Sequence, residues 1–318
     1  MKKLLYLLAL ALFLLSGCNT KKPVKAKVLQ KISLGVMPSM ASFPFMIAQD
    51  KDIYDTLGVQ IELIKFASDH ERDEALRAGK IDGSVMDFAD AALLQAKGTE
   101  LKLVMNNEEN FYLIMGKDAH ISNPNQMKGK NIAITSHSAI EYIVDKGLEK
   151  VGINTEEVNK PEINNSQLCL EMLQSGQIDA TVFTDPLATI AKHCGHQTLP
   201  LNKEMKATIT GTAFTQKALV EKSEEIRLLI YGYNIGVNYL STHSRADWSA
   251  LLIEQLSVPE KLIKKVQLPD YQPASIPSRT EIKATIQWLK DAGRVPTTYF
   301  GEQLIDTTFI YKQTSQQK

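Results

Sequence analysis

The sequence predicts an α/β protein built from two similar lobes, and three observations carry this. A short pattern occurs twice, as Glu74-Ala75-Leu76-Arg77-Ala78-Gly79-Lys80-Ile81-Asp82-Gly83-Ser84-Val85 and as Glu171-Met172-Leu173-Gln174-Ser175-Gly176-Gln177-Ile178-Asp179-Ala180-Thr181-Val182. Glu, Leu, Gly, Ile, Asp and Val recur in the same order at the same spacing. Each copy reads as a helix end, a glycine just past the C-cap, and a short apolar strand. The upstream elements repeat as well. Ile32–Val36 and Ile132–Thr135 are strands, each followed by a helical stretch and then by Gly58-Val59 or Gly152-Ile153, so each half reads strand, helix, strand, helix, strand. Finally, an aspartate follows the third strand of each half: Asp87 and Asp185. Solenoid repeats need three or more copies. Two copies of a unit this long indicate two lobes of one α/β fold.

The first residues stand outside that fold. Lys2-Lys3 precedes an apolar run, Leu4–Leu15, that is too short to span a bilayer, and the run ends in Leu15-Ser16-Gly17-Cys18. Basic start, apolar core, and small residues before a cysteine are similar to a bacterial lipoprotein signal. The expected arrangement is a signal peptide over 1–17, lipid on Cys18, and a polar, Lys-rich tether over 18–30. A single acyl chain anchors only marginally, and family lipoproteins carry several.

In the first lobe, Met37–Ser42 is a turn-like loop after the strand Ile32–Val36. Ser42 is a plausible N-cap, with Pro44 in the first turn of a helix that runs to about Tyr54. Val59–Leu63 alternates as a strand, Asp69 can cap a helix from His70 to Ala78, and Ala91–Ala96 is a short helix. Leu101–Met105 is a further strand. Polar Asn106–Asn110 and apolar Phe111–Met115 read as the first crossing between lobes. The second lobe runs from about Lys117 to Met205. Ser138 and Glu141 have capping-box spacing before a helix ending near Gly152, and Ser166 can start the next helix. Ile178–Phe183 is a strand leading to Thr184-Asp185-Pro186. Lys206–Phe214, with alternating small and β-branched residues, is the return crossing. The rest is mainly helical: Glu224–Leu240, Arg245–Leu256, a helix beginning at Pro259, and Glu281–Asp291 capped by Thr280, with the proline-rich Leu268–Ser278 irregular. The expected division is 31–110 with 209–318 as lobe one, and 111–208 as lobe two.

Composition bounds the chemistry. The chain is 44% hydrophobic and 23% charged with a formal net charge of +0, so no electrostatic case exists for a nucleic-acid partner. With Cys18 lipidated, Cys169 and Cys194 remain and are expected as free thiols. No dinucleotide, P-loop, zincin or nucleophile-elbow motif occurs. His193-Cys194-Gly195-His196 does not make a closed metal site on one short segment, so neither metal nor cofactor is expected.

Loops at the carboxyl ends of strands line the crevice of a two-lobed α/β protein. Asp87 and Asp185 are therefore candidates to face each other across a cleft, for acid–base work, for binding an amine, or simply as helix caps. Ser39, Met40, Ser42, Ser136, His137, Ser138 and Thr184 lie at helix starts or strand ends beside them. Such ends suit anions. These loops hold no Lys or Arg while Asp87, Asp90 and Asp185 are near, which favours a neutral or amine-bearing ligand. Phe43 and Phe88 are candidates to sandwich a flat ring or to pack in the core.

Leu34-Gly35-Val36-Met37-Pro38, Leu76-Arg77-Ala78-Gly79-Lys80-Ile81-Asp82, Ile178-Asp179-Ala180 with Asp185-Pro186, and Ile286-Gln287-Trp288-Leu289 with Leu304-Ile305-Asp306 carry a resemblance. The mature chain resembles the solute-binding proteins of the nitrate/sulfonate/taurine and thiamine-precursor group of ABC importers, the NMT1/THI5-like family. The resemblance implies a two-lobed periplasmic binding protein type II fold with a helical C-terminal part. It also implies a small solute held between the lobes, a membrane permease as partner, and a lipid-anchored place facing the periplasm or cell exterior. The alternative is an enzyme on the same fold, of menaquinone-pathway or pyrimidine-forming type. The chain lacks the cysteine-rich motif of the eukaryotic thiamine-pyrimidine synthases, and an export signal does not suit a cytoplasmic enzyme. A surface-adhesion role is a third, weaker reading.

Overall fold

The computed structural model describes residues 28–201 and 208–310. The expected signal peptide over 1–17, Cys18 and most of the expected tether lie outside the described residues, as do Lys206 and Ala207 of the expected return crossing and the tail at 313–318.

Two sheets organise the chain. The first has strand order β2-β1-β3-β9-β4, from β1 (Ile32–Val36), β2 (Ile61–Lys65), β3 (Gly83–Asp87), β4 (Leu101–Asn106) and β9 (Thr210–Thr215). The second has order β6-β7-β5-β8, from β5 (Phe111–Met115), β6 (Ile132–Ala133), β7 (Ala180–Thr184) and β8 (Gln197–Pro200). In the first, β1 pairs parallel with β2 and β3, and β9 lies antiparallel between β3 and β4. In the second, β6 pairs parallel with β7, and β5 lies antiparallel between β7 and β8. The two sheets thus share one topology, and in each the antiparallel strand enters from a crossing between lobes.

The repeat is explained by this topology. Gly79 and Gly176 take φ of 67° and 73°, the left-handed conformation that ends a helix at little cost only for glycine. The aspartate three residues later ties neighbouring strands at their starts. Asp82 Oδ2 accepts the Ser33 N–H at 2.8 Å, and Asp179 Oδ2 accepts the Asn131 N–H at 2.8 Å. Both tie the start of the first strand of a lobe to the strand beside it.

Helices cover the sheets: α1 (Phe43–Asp50), α2 (Ile53–Thr56), α3 (Asp69–Arg77), α4 (Phe88–Ala96), α5 (Ala139–Lys150), α6 (Ser166–Gln174), α7 (Leu187–His193), α8 (Gln216–Glu221), α9 (Ser223–Thr242), α10 (Ser249–Leu256) and α11 (Arg279–Asp291). In α9, Ile226, Leu229, Ile230, Tyr233 and Val237 are buried at helical spacing against Phe45 and Ile47 of α1. Each such aliphatic side chain stabilises by about 1.5–3 kcal/mol. Gly236 permits the close approach, since a Cβ there would lie 2.3 Å from the Pro44 carbonyl oxygen.

Several local expectations are corrected. Ser42 does not cap α1: it is helical, lies inside the 3₁₀ turn Met40–Ser42, and makes no capping bond. The caps of α3, α6 and α11 are Ser68, Asn165 and Ser278, not Asp69, Ser166 and Thr280, because each supplies its side-chain oxygen to the N–H three residues on. The helix expected from Ala91 begins at Phe88. The second strand of the second half is not at Gly152-Ile153. It is reduced to isolated bridges at Asn159 and Glu162, parallel to Asn131 and Ile134. Arg245–Leu256 divides into a turn and α10, and the segment after Pro259 makes only the turn Glu260–Leu262. Among the described residues, no helix is long and apolar enough to cross a membrane.

Candidate functional site

The carboxyl ends of β3 and β7 meet where the two sheets face each other. Asp87, the last residue of β3, accepts the Ala139 N–H at the start of α5 through Oδ2 at 2.9 Å. Its Oδ1 accepts the Thr210 hydroxyl of β9 at 3.3 Å. Asp185, just past β7, accepts the Thr189 N–H through Oδ1 at 3.0 Å and the Gln267 N–H through Oδ2 at 3.1 Å. Burial, reinforced by Asp69, pushes the Asp87 carboxyl up to about 6. Burial also raises Asp185, against the bonds from Thr189 and Gln267. Both oxygens of each aspartate thus already serve this chain's own donors, Asp87 those of Ala139 and Thr210, Asp185 those of Thr189 and Gln267.

The crossing between β4 and β5 supplies a carboxylate that sequence reasoning missed. Glu109 Oε2 accepts the Ala41 N–H at 3.0 Å, and the Ser39 hydroxyl donates to the same carboxylate. Burial pushes Glu109 up to about 8, with Asp185 and Asp87 adding to the rise while the Ala41 and Ser39 bonds oppose it. Tyr112, one residue into β5, is raised to about 12 by burial, Asp185 and Glu109. Tyr271 stands well above its usual range through burial and the nearby Glu109, and donates its hydroxyl to the Met40 carbonyl at 2.7 Å. Asn107 Nδ2 donates to the Ala41 carbonyl at 3.2 Å while its Oδ1 accepts the Thr212 hydroxyl at 2.6 Å. The loop over Met37–Ser42 is thus pinned from the crossing, from β9 and from the C-terminal part. The signal in the sequence was the Glu108-Glu109 pair inside a segment already read as a crossing.

The opposite wall is the start of α5. Ser138 caps it, its Oγ accepting the Ile140 N–H at 3.1 Å and donating to the Thr135 carbonyl at 2.8 Å. Glu141 Oε2 accepts the His137 N–H at 2.6 Å, so the expected reciprocal bond falls on His137 rather than Ser138. The Ser136 hydroxyl donates to Glu162. At the start of the helix the Ala139 N–H is thus held by Asp87 and the Ile140 N–H by Ser138, while Glu141 holds the His137 N–H just before it. His137 has φ 69°, and its Nε2 lies 2.5 Å from Nη1 of Arg294, which arrives from just beyond α11. Burial and that guanidinium lower the imidazole pKa, against Glu141. The local sequence showed no basic residue here, because Arg294 is brought in by the tertiary fold.

Other candidates are placed differently. Phe43 and Phe88 are fully buried in two separate apolar clusters, Phe43 edge-on to Trp248 at 5.9 Å, so they pack in cores and do not flank a common ring space. Met40 and Ser42 are also fully buried, and Ser42 Oγ has no hydrogen-bond partner. Thr184 is half-buried and pairs with Phe111 across β7 and β5. Asp90 bonds Arg72 Nη2 at 2.6 Å, in a buried network where Arg72 also binds Asp69 at 2.6 Å and Asp73 at 2.8 Å. His196 Nδ1 accepts the Lys117 N–H at 3.1 Å, and no group of three potential metal-binding side chains occurs among the described residues. Cys169 is buried and free, and Cys194 is exposed and free.

A groove of about 560 Å³ opens between the lobes, lined by Ser68 and Glu71 on one side and by Glu162, Asn164 and Leu168 on the other.

No curated protein sequence matches this chain. Solved structures match its fold at low identity. The ligand-binding component of an ABC-type import system from Staphylococcus aureus, with zinc bound, gives a TM-score of 0.76 at 15% identity, covering 88% of this chain and 97% of that one. The aliphatic sulphonate binding protein SsuA of Escherichia coli gives 0.74 at 16% identity, covering 89% and 94%. The nitrate-binding protein NrtA of Synechocystis gives 0.72 at 13% identity, covering 85% and 83%. The fold is thus that of periplasmic binding proteins: two α/β lobes, two crossings and a helical C-terminal part. The profile of the NMT1-like family matches residues 25–226, which is most of the chain, and the protein belongs to that family.

Proposed function

We propose that the protein is the solute-binding lipoprotein of an ABC-type importer. It captures a small organic solute that presents a protonated amine or ring N–H to the acids at the crossing between lobes. Lobe one is 31–110 with 209–318, lobe two is 111–208, and the ligand sits between them. Lipid on Cys18 tethers the protein outside the cytoplasmic membrane, where it hands its solute to a permease.

The observation that carries the solute class is Glu109. Burial raises the Glu109 carboxyl to about 8, and Asp185 and Asp87 stand close enough to add to that rise, so three acids converge at the crossing. A cationic N–H group placed there restores the charged form and makes a charge-assisted bond. The start of α5 offers an anion less, since its Ala139 N–H is held by Asp87 and its Ile140 N–H by Ser138. Among the solute classes of the importer group, this supports the amine-bearing ones, of thiamine-precursor or taurine type, over nitrate and simple sulfonates.

The test is calorimetric titration of the purified protein with small primary amines, aminopyrimidines, alkylsulfonates and nitrate. An amine should bind, and Glu109→Gln should weaken it about tenfold or more. Tight binding of nitrate or an amine-free sulfonate, unaffected by Glu109→Gln, would overturn the assignment. Chemical conversion of the bound solute would instead favour an enzyme. Labelled fatty acid should enter the wild-type protein and not Cys18→Ala, and equal labelling of both would remove the lipid anchor.

A further inference from the structure

Asp87 and Asp185 occupy equivalent points in the two halves, and each accepts a backbone N–H from a distant segment. Asp87 ends the third strand of lobe one and holds the Ala139 N–H of α5 in lobe two at 2.9 Å. Asp185 follows the matching strand of lobe two and holds the Gln267 N–H at 3.1 Å. Gln267 belongs with lobe one, because its neighbour Val266 is fully buried among Leu34, Phe43 and Trp248, and Arg245 Nη1 fixes the Val266 carbonyl at 3.1 Å. Each half of the repeat thus reaches across and grips the other half by its main chain. We propose that Asp87 and Asp185 form a reciprocal clasp between the lobes, acting as positioning residues that set how far the cleft opens.

A carboxylate suits this role. Its two oxygens let one bond stay within the lobe, to Thr210 or Thr189, while the other crosses. The first keeps the side chain in place when the second is broken, so opening does not require repacking. In both crossing bonds a carboxylate accepts from a backbone N–H group in a part-buried setting, and bonds to a charged acceptor are among the stronger ones. α11 adds a separate tether, with Trp288 Nε1 donating to Asp145 at 2.9 Å and the Trp288 ring edge-on to Tyr142 at 5.5 Å.

The Asp87 half of the clasp is also sensitive to protons. Asp69 and Arg72 of α3, Asp90 of α4 and Glu109 of the crossing act on or with it, and His137 and Glu141 pair beside the Ala139 it holds. Burial among more acids than bases brings Asp87 up to about 6. As pH falls through that value the carboxylate becomes a weaker, neutral acceptor, and its grip on Ala139 loosens.

The test needs no ligand, and so it is independent of the proposed solute class. Spin labels are placed at Glu71 and Leu168, exposed residues on opposite walls of the groove, in a chain with Cys194 replaced. In Asp87→Ala and in Asp185→Ala the ligand-free label distance should lengthen by several ångström at pH 8. In the wild type it should lengthen between pH 8 and pH 5, and this response should vanish in Asp87→Ala. Circular dichroism establishes that each variant is folded. Should a variant fail to fold, the wild-type pH series carries the test. Distances unchanged in both folded variants, or unchanged with pH in the wild type, would overturn the clasp.

Discussion

Replacing Glu109 by Gln removes a titrating carboxyl from the crossing between β4 and β5. The amide keeps the shape of the side chain and an oxygen for the Ala41 N–H at 3.0 Å, but it cannot ionise. The wild-type carboxyl has its pKa raised from 4.5 to about 8 by folding. A raised acid favours the folded state at low pH. Its contribution is full below 4.5 and is lost as pH rises through the folded value. At about 1.4 kcal/mol per pH unit, this one carboxyl withdraws roughly 2–3 kcal/mol of stability between pH 5 and pH 7. Urea unfolding of wild type and Glu109→Gln at a series of pH values reads it directly. The stability difference, variant minus wild type, should rise by about that amount over the interval. Because other acids titrate in both proteins, only this difference is diagnostic. A flat difference would show that Glu109 is not raised, and the cationic solute class would lose its support. Ligand binding provides a matching signature. An amine should expel most of one proton near pH 7, visible as a dependence of calorimetric heat on buffer ionisation enthalpy, and Glu109→Gln should not show it.

Arg72→Met should cost about 3–5 kcal/mol, since it strands Asp90 beside Asp69 and Asp73 in a buried network, and urea unfolding at pH 7 measures this. The loss should shrink at low pH as those acids protonate. Asp179→Ala should cost about 1.5–3 kcal/mol by releasing the Asn131 N–H. Asp82→Ala should cost more, because Asp82 also accepts the Ser33 hydroxyl and both of its oxygens bind Lys222 at 2.7 Å. Equal costs would show that the extra Asp82 bonds to Ser33 and Lys222 are not the source. Gly236→Ala should lower stability by about 1–3 kcal/mol through overpacking of α9 on α1, seen as a lower melting temperature.

Much of the architecture was legible along the chain. The twin Glu-Leu-Gly-Ile-Asp-Val patterns announced two sheets of like build, because the C′ glycine and the strand-tying aspartate are local requirements that only a few residue types meet. Capping was read to within a few residues. The misses at Ser68, Asn165 and Ser278 came from several cap-competent residues standing together, where backbone angles choose among them. The short strand near Asn159 was missed because only isolated bridges form there, too little to leave an alternating pattern.

The site divides in the same way. The sequence by itself determined that Asp87 and Asp185 stand at matching strand ends, since a repeat carries its own register. It could not determine what each carboxylate touches. Ala139 and Gln267 lie 52 and 82 residues away along the chain. Nor could it show that Arg294 meets His137 or that Arg72 holds Asp90. Those pairings are set by how the lobes and the C-terminal helices close on each other, and a hydrogen bond between distant segments leaves no periodicity to read. Glu109 is the sharpest case. In the sequence it is one acid in a polar stretch, and only folding removes it from water, places Asp87 and Asp185 nearby, and gives it a titration that no local pattern encodes.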